Sequence, residues 1–217
     1  MLNKQKGNMY GFVTHTWNTV KGKCPHDCSY CYMKRFKQPE LHFDESELKT
    51  NLGTGNFIFV GSSCDMFADE IPNEWIEKTL IHSCQFDNKY LFQTKYPANI
   101  RRILPLFSTV CVTIETNRHY VAIMRNSTSP KTRAKDSTLI RQPLYITIEP
   151  IMDFDLIPFV EMIKLCEPAQ VNIGANTMRK VKLPEPEPEK VLELISGLEK
   201  FTKVYKKDNL KRILNKK

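Results

Sequence analysis

The chain has no run of about 18 uncharged apolar residues of the kind that crosses a bilayer, and its N-terminus, "MLNKQKGNMYGF", lacks the long apolar stretch of a signal peptide. Membrane insertion and secretion are therefore not expected, and the expected compartment is the cytoplasm. Cysteine is sparse outside one stretch: there are seven in 217 residues, an odd number that does not suit a disulfide framework. No internal repeat or long low-complexity tract is present, which excludes a solenoid. Asn-Gly and Asp-Gly hairpin turns are missing between the apolar runs, so those runs are not expected to pair as consecutive antiparallel strands.

What remains is a mixed composition, 41% hydrophobic, enough for one globular domain with its own core. The net charge of +8 favours a polyanionic partner, although part of the excess lies in the tail "KFTKVYKKDNLKRILNKK". Residues 1–182 are expected to form the main domain. Residues 183–217, the Pro/Glu connector "LPEPEPEK" and a basic C-terminal helix, are expected to pack on it.

Apolar, β-branched and aromatic runs at residues 10–17, 56–61, 89–94, 109–115, 143–149 and 170–175 read as buried strands. Candidate helices lie between them at 45–52, 72–85, 96–107, 129–142 and 156–167. Strand and helix alternate, which predicts a parallel sheet with right-handed crossovers. Six such units are fewer than the eight of a closed barrel. The expected fold is an α/β partial (β/α)6 barrel of the TIM type, open on one side, with a doubly wound open sheet as the competitor. In both, chemistry sits at the carboxyl ends of the strands.

"KGKCPHDCSYCYMKR" holds the concentrated cysteines: Cys24, Cys28 and Cys31 in the spacing C-x3-C-x2-C, with Tyr30 before the last. A closed structural zinc site uses four protein ligands, and His26 would complete a Cys3His set, but it lies two residues from each of two cysteines. Three thiolates on one loop suit three corners of a four-iron cluster, with the fourth iron open. The other polar positions after strands are Asn18, the segment "GSSCDMF" at 61–67, Lys95, "ETNR" at 115–118, Glu149 and Asn176.

The cysteine motif after a first strand resembles the signature of the radical S-adenosylmethionine (SAM) superfamily. Together with "FVGSSCDMFADEIPNEW", "LFQTKYP", "VTIETN" and "ITIEPIMDFD", it is similar to the spore photoproduct lyase branch, and more closely to small phage-associated radical SAM proteins of unassigned function. The resemblance implies a [4Fe-4S] cluster on Cys24, Cys28 and Cys31, SAM as second cofactor, and an external one-electron reductant of the flavodoxin or ferredoxin type. It implies that Ser62 and Ser63 meet the SAM amino group, that Lys95 meets its carboxylate with Arg118 or Arg133 as a second partner, that Glu115, Thr116 and Asn117 lie at the ribose, with Glu115 preferred, and that Tyr30 and Tyr32 lie near adenine. Cys64 is the candidate hydrogen donor, by analogy with the lyase, and Asp65, Glu149 and Asn176 are candidate substrate contacts. Cys84, Cys111 and Cys166 are expected to be packing residues. The implied substrate is a nucleobase in nucleic acid or a nucleotide. The alternative is a zinc-stabilised nucleic-acid-binding module without catalysis, and a third reading is an inactive cluster protein serving as electron relay or scaffold.

Overall fold

The computed structural model describes residues 1–5, 9–100, 104–178 and 180–215. In chain order the elements are β1 (Asn3–Lys4), β2 (His15–Trp17), β3 (Val20–Lys21), β4 (His42–Phe43), β5 (Phe57–Val60), α1 (Asn73–Ser83), β6 (Lys89–Thr94), β7 (Ser108–Thr113), α2 (Val121–Met124), α3 (Pro130–Ser137), β8 (Leu144–Ile148), α4 (Leu156–Leu165), β9 (Gln170–Ile173), α5 (Pro188–Leu198), β10 (Lys203–Lys206) and α6 (Lys211–Leu214). The main sheet has the order β1-β2-β5-β6-β7-β8-β9-β10, parallel throughout except for β1, and it is not closed. The expected open α/β barrel is present, and all six expected strands lie in it.

Alternation along the strands divides the core in two. Ile58, Val60, Tyr90, Phe92, Val110 and Val112 belong to the large core shared with helix residues, whereas Phe59, Leu91 and Cys111, one residue out of phase, belong to a smaller cluster. Tyr10, Phe12 and Val13 complete that second cluster, on the face of the sheet opposite the helices. On the convex side, α1 buries Ile76, Thr79, Leu80 and Ser83, and α5 buries Val191, Leu194, Ile195 and Leu198, each at i, i+3, i+4, i+7. Helix α3 starts with Pro130 in its first turn and Ser129 as cap, whose side chain accepts from Thr132 N at 3.1 Å. The same spacing then turns Pro130, Arg133, Ala134 and Ser137 inward. Helix α4 ends where Glu167 takes φ 49° and Pro168 follows, neither of which continues a helix.

The structure differs from the sequence expectation in its shorter pieces. Residues 45–52, expected as a helix, give a 3-10 turn at Glu45–Lys49, and the expected helix at 96–107 gives another at Pro97–Ile100, with residues 101–103 outside the described ones. The basic C-terminal segment is not simply a helix: β10 lies within it as a seventh parallel strand, followed by a 3-10 turn at Asp208–Leu210 and α6. Among the described residues, no helix is long and apolar enough to cross a membrane.

Candidate functional site

The cysteine loop is held at its base by β3 and β4, which pair antiparallel with Val20 opposite Phe43 and Lys21 opposite His42. Gly22 follows at φ 97°, so close to the returning chain that a Cβ would lie 2.7 Å from Glu40 C and 2.8 Å from Pro39 O. Only glycine fits there. Cys28 is buried, and Cys24 and Cys31 are half-buried. Asp27, at φ 46°, donates its N–H to Cys24 O at 3.1 Å, and Cys31 N donates to Cys28 O at 3.2 Å, so the loop turns twice on itself. The segment around α2 clasps it from outside. Ser29 N donates to Ile123 O at 2.9 Å, Asn126 N to His26 O at 3.2 Å and Asn126 Nδ2 to Pro25 O at 3.0 Å. Arg125 and Lys34 both pair with Asp27.

His26 is committed elsewhere. Its Nε2 lies 2.8 Å from Asp65 Oδ2, with both side chains nearly buried. Asp65 also accepts from Thr94 Oγ1 at 2.9 Å, Lys95 N at 2.8 Å and Phe67 N at 3.0 Å. Burial works to raise the Asp65 pKa, but the His26 ring and the backbone donors win and hold it below the usual carboxylate range. Among the described residues, no three His, Cys, Asp or Glu side chains converge tightly enough to hold a single metal ion. A lone zinc would require that convergence, with each sulfur about 2.3 Å from the metal. A four-iron cluster takes one thiolate per iron, so its ligands stand further apart. Cys24, Cys28 and Cys31 supply the three thiolates that a four-iron cluster takes, and His26, the fourth ligand a knuckle would need, is bonded to Asp65.

Burial raises the Cys28 thiol, offset in part by Lys95, and raises Cys31. Cys24 is brought down to about 6, chiefly by the neighbouring Cys64 thiol, and Cys64 is pushed up by Cys24 and by burial. Cys64, buried after β5, thus neighbours Cys24 of the loop.

Two groups of the expected SAM residues are brought together. In one, Tyr32 OH donates to Ser62 O at 2.6 Å, and Asn18 Oδ1 accepts from Ser62 Oγ at 3.2 Å and Ser63 N at 3.1 Å. In the other, Lys95 Nζ sits 5.6 Å from the Tyr30 ring centre and 3.7 Å from Glu115 Oε1. Glu115 is fully buried; Arg133 Nη1 donates to its Oε2 at 2.8 Å, and Tyr30 OH donates to its other oxygen. Burial works to raise the Glu115 pKa, and Arg133 and Lys95 overcome it and lower it. Burial likewise works to lower the Lys95 pKa, and Cys28 and Glu115 overcome it and raise it. Both oxygens of Glu115 are therefore already engaged, Oε2 by Arg133 and Oε1 by Tyr30 with Lys95 nearby.

The remaining candidates are placed apart. Asn117 exchanges hydrogen bonds with Asp155, donating from Nδ2 at 3.3 Å and accepting from the backbone N at 2.9 Å, and Arg118 pairs with Asp153 and Asp155. Thr116 Oγ1 donates to Asp153 O at 2.7 Å. Asn176 shapes its own turn, accepting from Met178 N and donating to Val181 O, both at 2.8 Å. Cys111 lies within 3.9 Å of Tyr10 OH, Cys166 donates to Met162 O at 3.3 Å, and Cys84 is exposed. Glu149 accepts from Lys207 Nζ at 2.6 Å and Asn209 Nδ2 at 2.8 Å. Lys207 and Asn209 were not identified from sequence. They follow β10, and the run of lysines around that strand masks its alternation. Two surface depressions, one bordered by Phe201 and Pro168 and the other by Lys131 and Pro158, involve the helices rather than the cysteine loop.

No family model matches the sequence, and no curated protein matches it. Solved structures do. A cysteine-to-alanine variant of spore photoproduct lyase with dinucleoside spore photoproduct is 12% identical, with a TM-score of 0.67, over 93% of this chain and 78% of that one. A cysteine-to-serine variant gives 11%, 0.64, 93% and 78%. A doubly substituted form with bound AdoMet and dinucleoside spore photoproduct gives 11%, 0.57, 91% and 64%. At these identities the likeness is one of fold, and the chain shares with spore photoproduct lyase its open, mostly parallel α/β barrel.

Proposed function

We propose that this protein is a radical SAM enzyme. The observation that carries the proposal is the three-thiolate loop following β2, at the carboxyl end of the parallel strands. Cys24, Cys28 and Cys31 would hold a [4Fe-4S] cluster, which together with SAM supplies reductive cleavage to methionine and a hydrogen-abstracting 5′-deoxyadenosyl radical.

The chain's own residues divide the remaining work. Asn18, Ser62 and Ser63 offer carbonyl and hydroxyl oxygens to the SAM ammonium, and the Tyr32 hydroxyl fixes the Ser62 carbonyl. Lys95 offers a cation to the SAM carboxylate, oriented by Glu115, which Arg133 anchors. Glu115 thus acts as a positioning group rather than as a ribose ligand. Asn117, tied to Asp155, is assigned no more than the rim. Cys64 is assigned as hydrogen donor: its S–H bond breaks as a C–H bond forms on the substrate radical. The thiyl left behind is restored with a proton by an external one-electron reductant of flavodoxin or ferredoxin type. A nucleobase, in nucleic acid or as a nucleotide, is the proposed substrate, supported by the charge of +8 and by the dinucleoside product named for the structural neighbours. The reduced cysteines that this chemistry needs suit the cytoplasm.

The test is anaerobic reconstitution with iron and sulfide, followed by dithionite and SAM. A brown protein that releases 5′-deoxyadenosine, with a Cys28→Ala variant that does not, supports the proposal. Colourless protein carrying one zinc per chain and yielding no deoxyadenosine sinks it.

A further inference from the structure

We infer that the mouth of the site carries a docking surface for single-stranded nucleic acid, built from residues 32–37 ("YMKRFK"), 177–178 and 180–183. The first segment leaves the cysteine loop as a 3-10 turn, Tyr32–Arg35. It exposes Tyr32 and Phe36, at 42% and 61%, with Lys34, Arg35 and Lys37 exposed beside them. Other large apolar side chains are exposed on this chain, but these two rings lie four residues apart with three cations around them, next to the cysteine loop.

The second segment is joined to the first by Arg35, whose Nη2 donates to Thr177 O and whose Nε lies 2.9 Å from Met178 Sδ. It adds exposed Lys180 and Lys182, and Leu183 packs on the cluster of Cys28, Tyr30, Met124 and Met152 that carries the cysteine loop. One continuous edge therefore runs from the loop outward. Lys34 is paired with Asp27, whereas among the described residues no carboxylate within ion-pair distance is recorded for Arg35, Lys37, Lys180 or Lys182.

Unneutralised cations interleaved with exposed rings match what an unpaired strand offers: a phosphate at each step and a bare base face. A duplex offers the phosphates but covers its base faces, and an acidic protein partner has no need of the rings. A strand held here lies beside the cysteine loop. The inference rests on the catalytic proposal for its purpose, but its test does not.

Fluorescence anisotropy of a labelled 20-nucleotide oligothymidylate, without SAM or reductant, gives the test. Tighter binding of the single strand than of the same strand annealed is expected, with a slope of log affinity against log salt of about −3 for four phosphate contacts. Phe36→Ala is expected to weaken binding roughly tenfold. The double variant Lys180→Glu, Lys182→Glu is expected to weaken it at least tenfold and to flatten the salt slope by about 1.4. Equal binding of single strand and duplex, or unchanged binding in both variants, overturns the inference. So does a double variant that binds normally but is reduced more slowly by flavodoxin, which would make the surface a reductant dock. Deoxyadenosine release is scored separately. Release without strand binding removes only this inference, and strand binding without release removes only the catalytic proposal.

Discussion

Arg133 and Glu115 are both fully buried, and their charges are tolerated because they face each other at 2.8 Å, with Tyr30 and Lys95 on Glu115 and the Thr113 and Thr128 carbonyls on Arg133. Arg133→Met leaves Glu115 with Lys95 at 3.7 Å as its remaining cation, so a loss of about 3–5 kcal/mol in urea unfolding is expected. Replacing both, with Glu115→Leu added, should recover much of that loss. A cost below about 1 kcal/mol for the single variant would show that the pair is not dry. The pH dependence follows from the lowered Glu115 pKa: its contribution is complete above the unfolded value, about 4.3, and is lost as pH falls through the lower folded value. Glu115→Gln should therefore flatten the acid limb of the stability curve, and an unchanged limb would contradict the assignment. Position after a strand placed Glu115 at the site in the sequence, but nothing there showed that its oxygens were already taken. The partner comes from α3, eighteen residues on, through a helical face that periodicity alone reads as ordinary burial.

The clasp of β3 and β4 is the element that sets the cysteine loop, and Gly22 is its tightest point. Gly22→Ala adds both an unfavourable φ and a collision with backbone, so a loss above about 2 kcal/mol and a fall in reconstituted iron per chain are expected. Gly55→Ala, at φ 71° but with open space around it, should cost about 1–2 kcal/mol and leave iron content unchanged. Equal iron loss in both variants would mean that the clasp has no special role. Strands of two residues carry no periodicity, which is why this clasp was illegible, whereas the six long runs announced themselves by aromatic and β-branched content. β10 was hidden for a different reason. It is an edge strand whose exposed Lys203 and Lys206 discourage pairing with other chains, and the same lysines make it read as a solvated tail.

At the scale of the molecule, the cysteine loop touches the β3/β4 clasp, the α2 segment and Leu183, so a bound cluster would tie together regions distant in sequence. Reconstitution should raise the unfolding temperature by several degrees, and removal of iron by a chelator under air should reverse it. An unfolding temperature indifferent to iron would count against the three-cysteine site. The last parallel strand has another consequence. Glu149 meets Lys207 and Asn209 across 58 and 60 residues, so those partners are made long after the cysteines leave the ribosome. A nascent chain can pair β2 with β5 through β9 and display its thiols before Lys207 and Asn209 have been made. Cofactor loading during translation would meet an unfinished barrel, and chains released before residue 209 would carry the thiols without the completed floor. If the loop takes a cluster, loading before the final strand docks should be less efficient than loading of the finished chain.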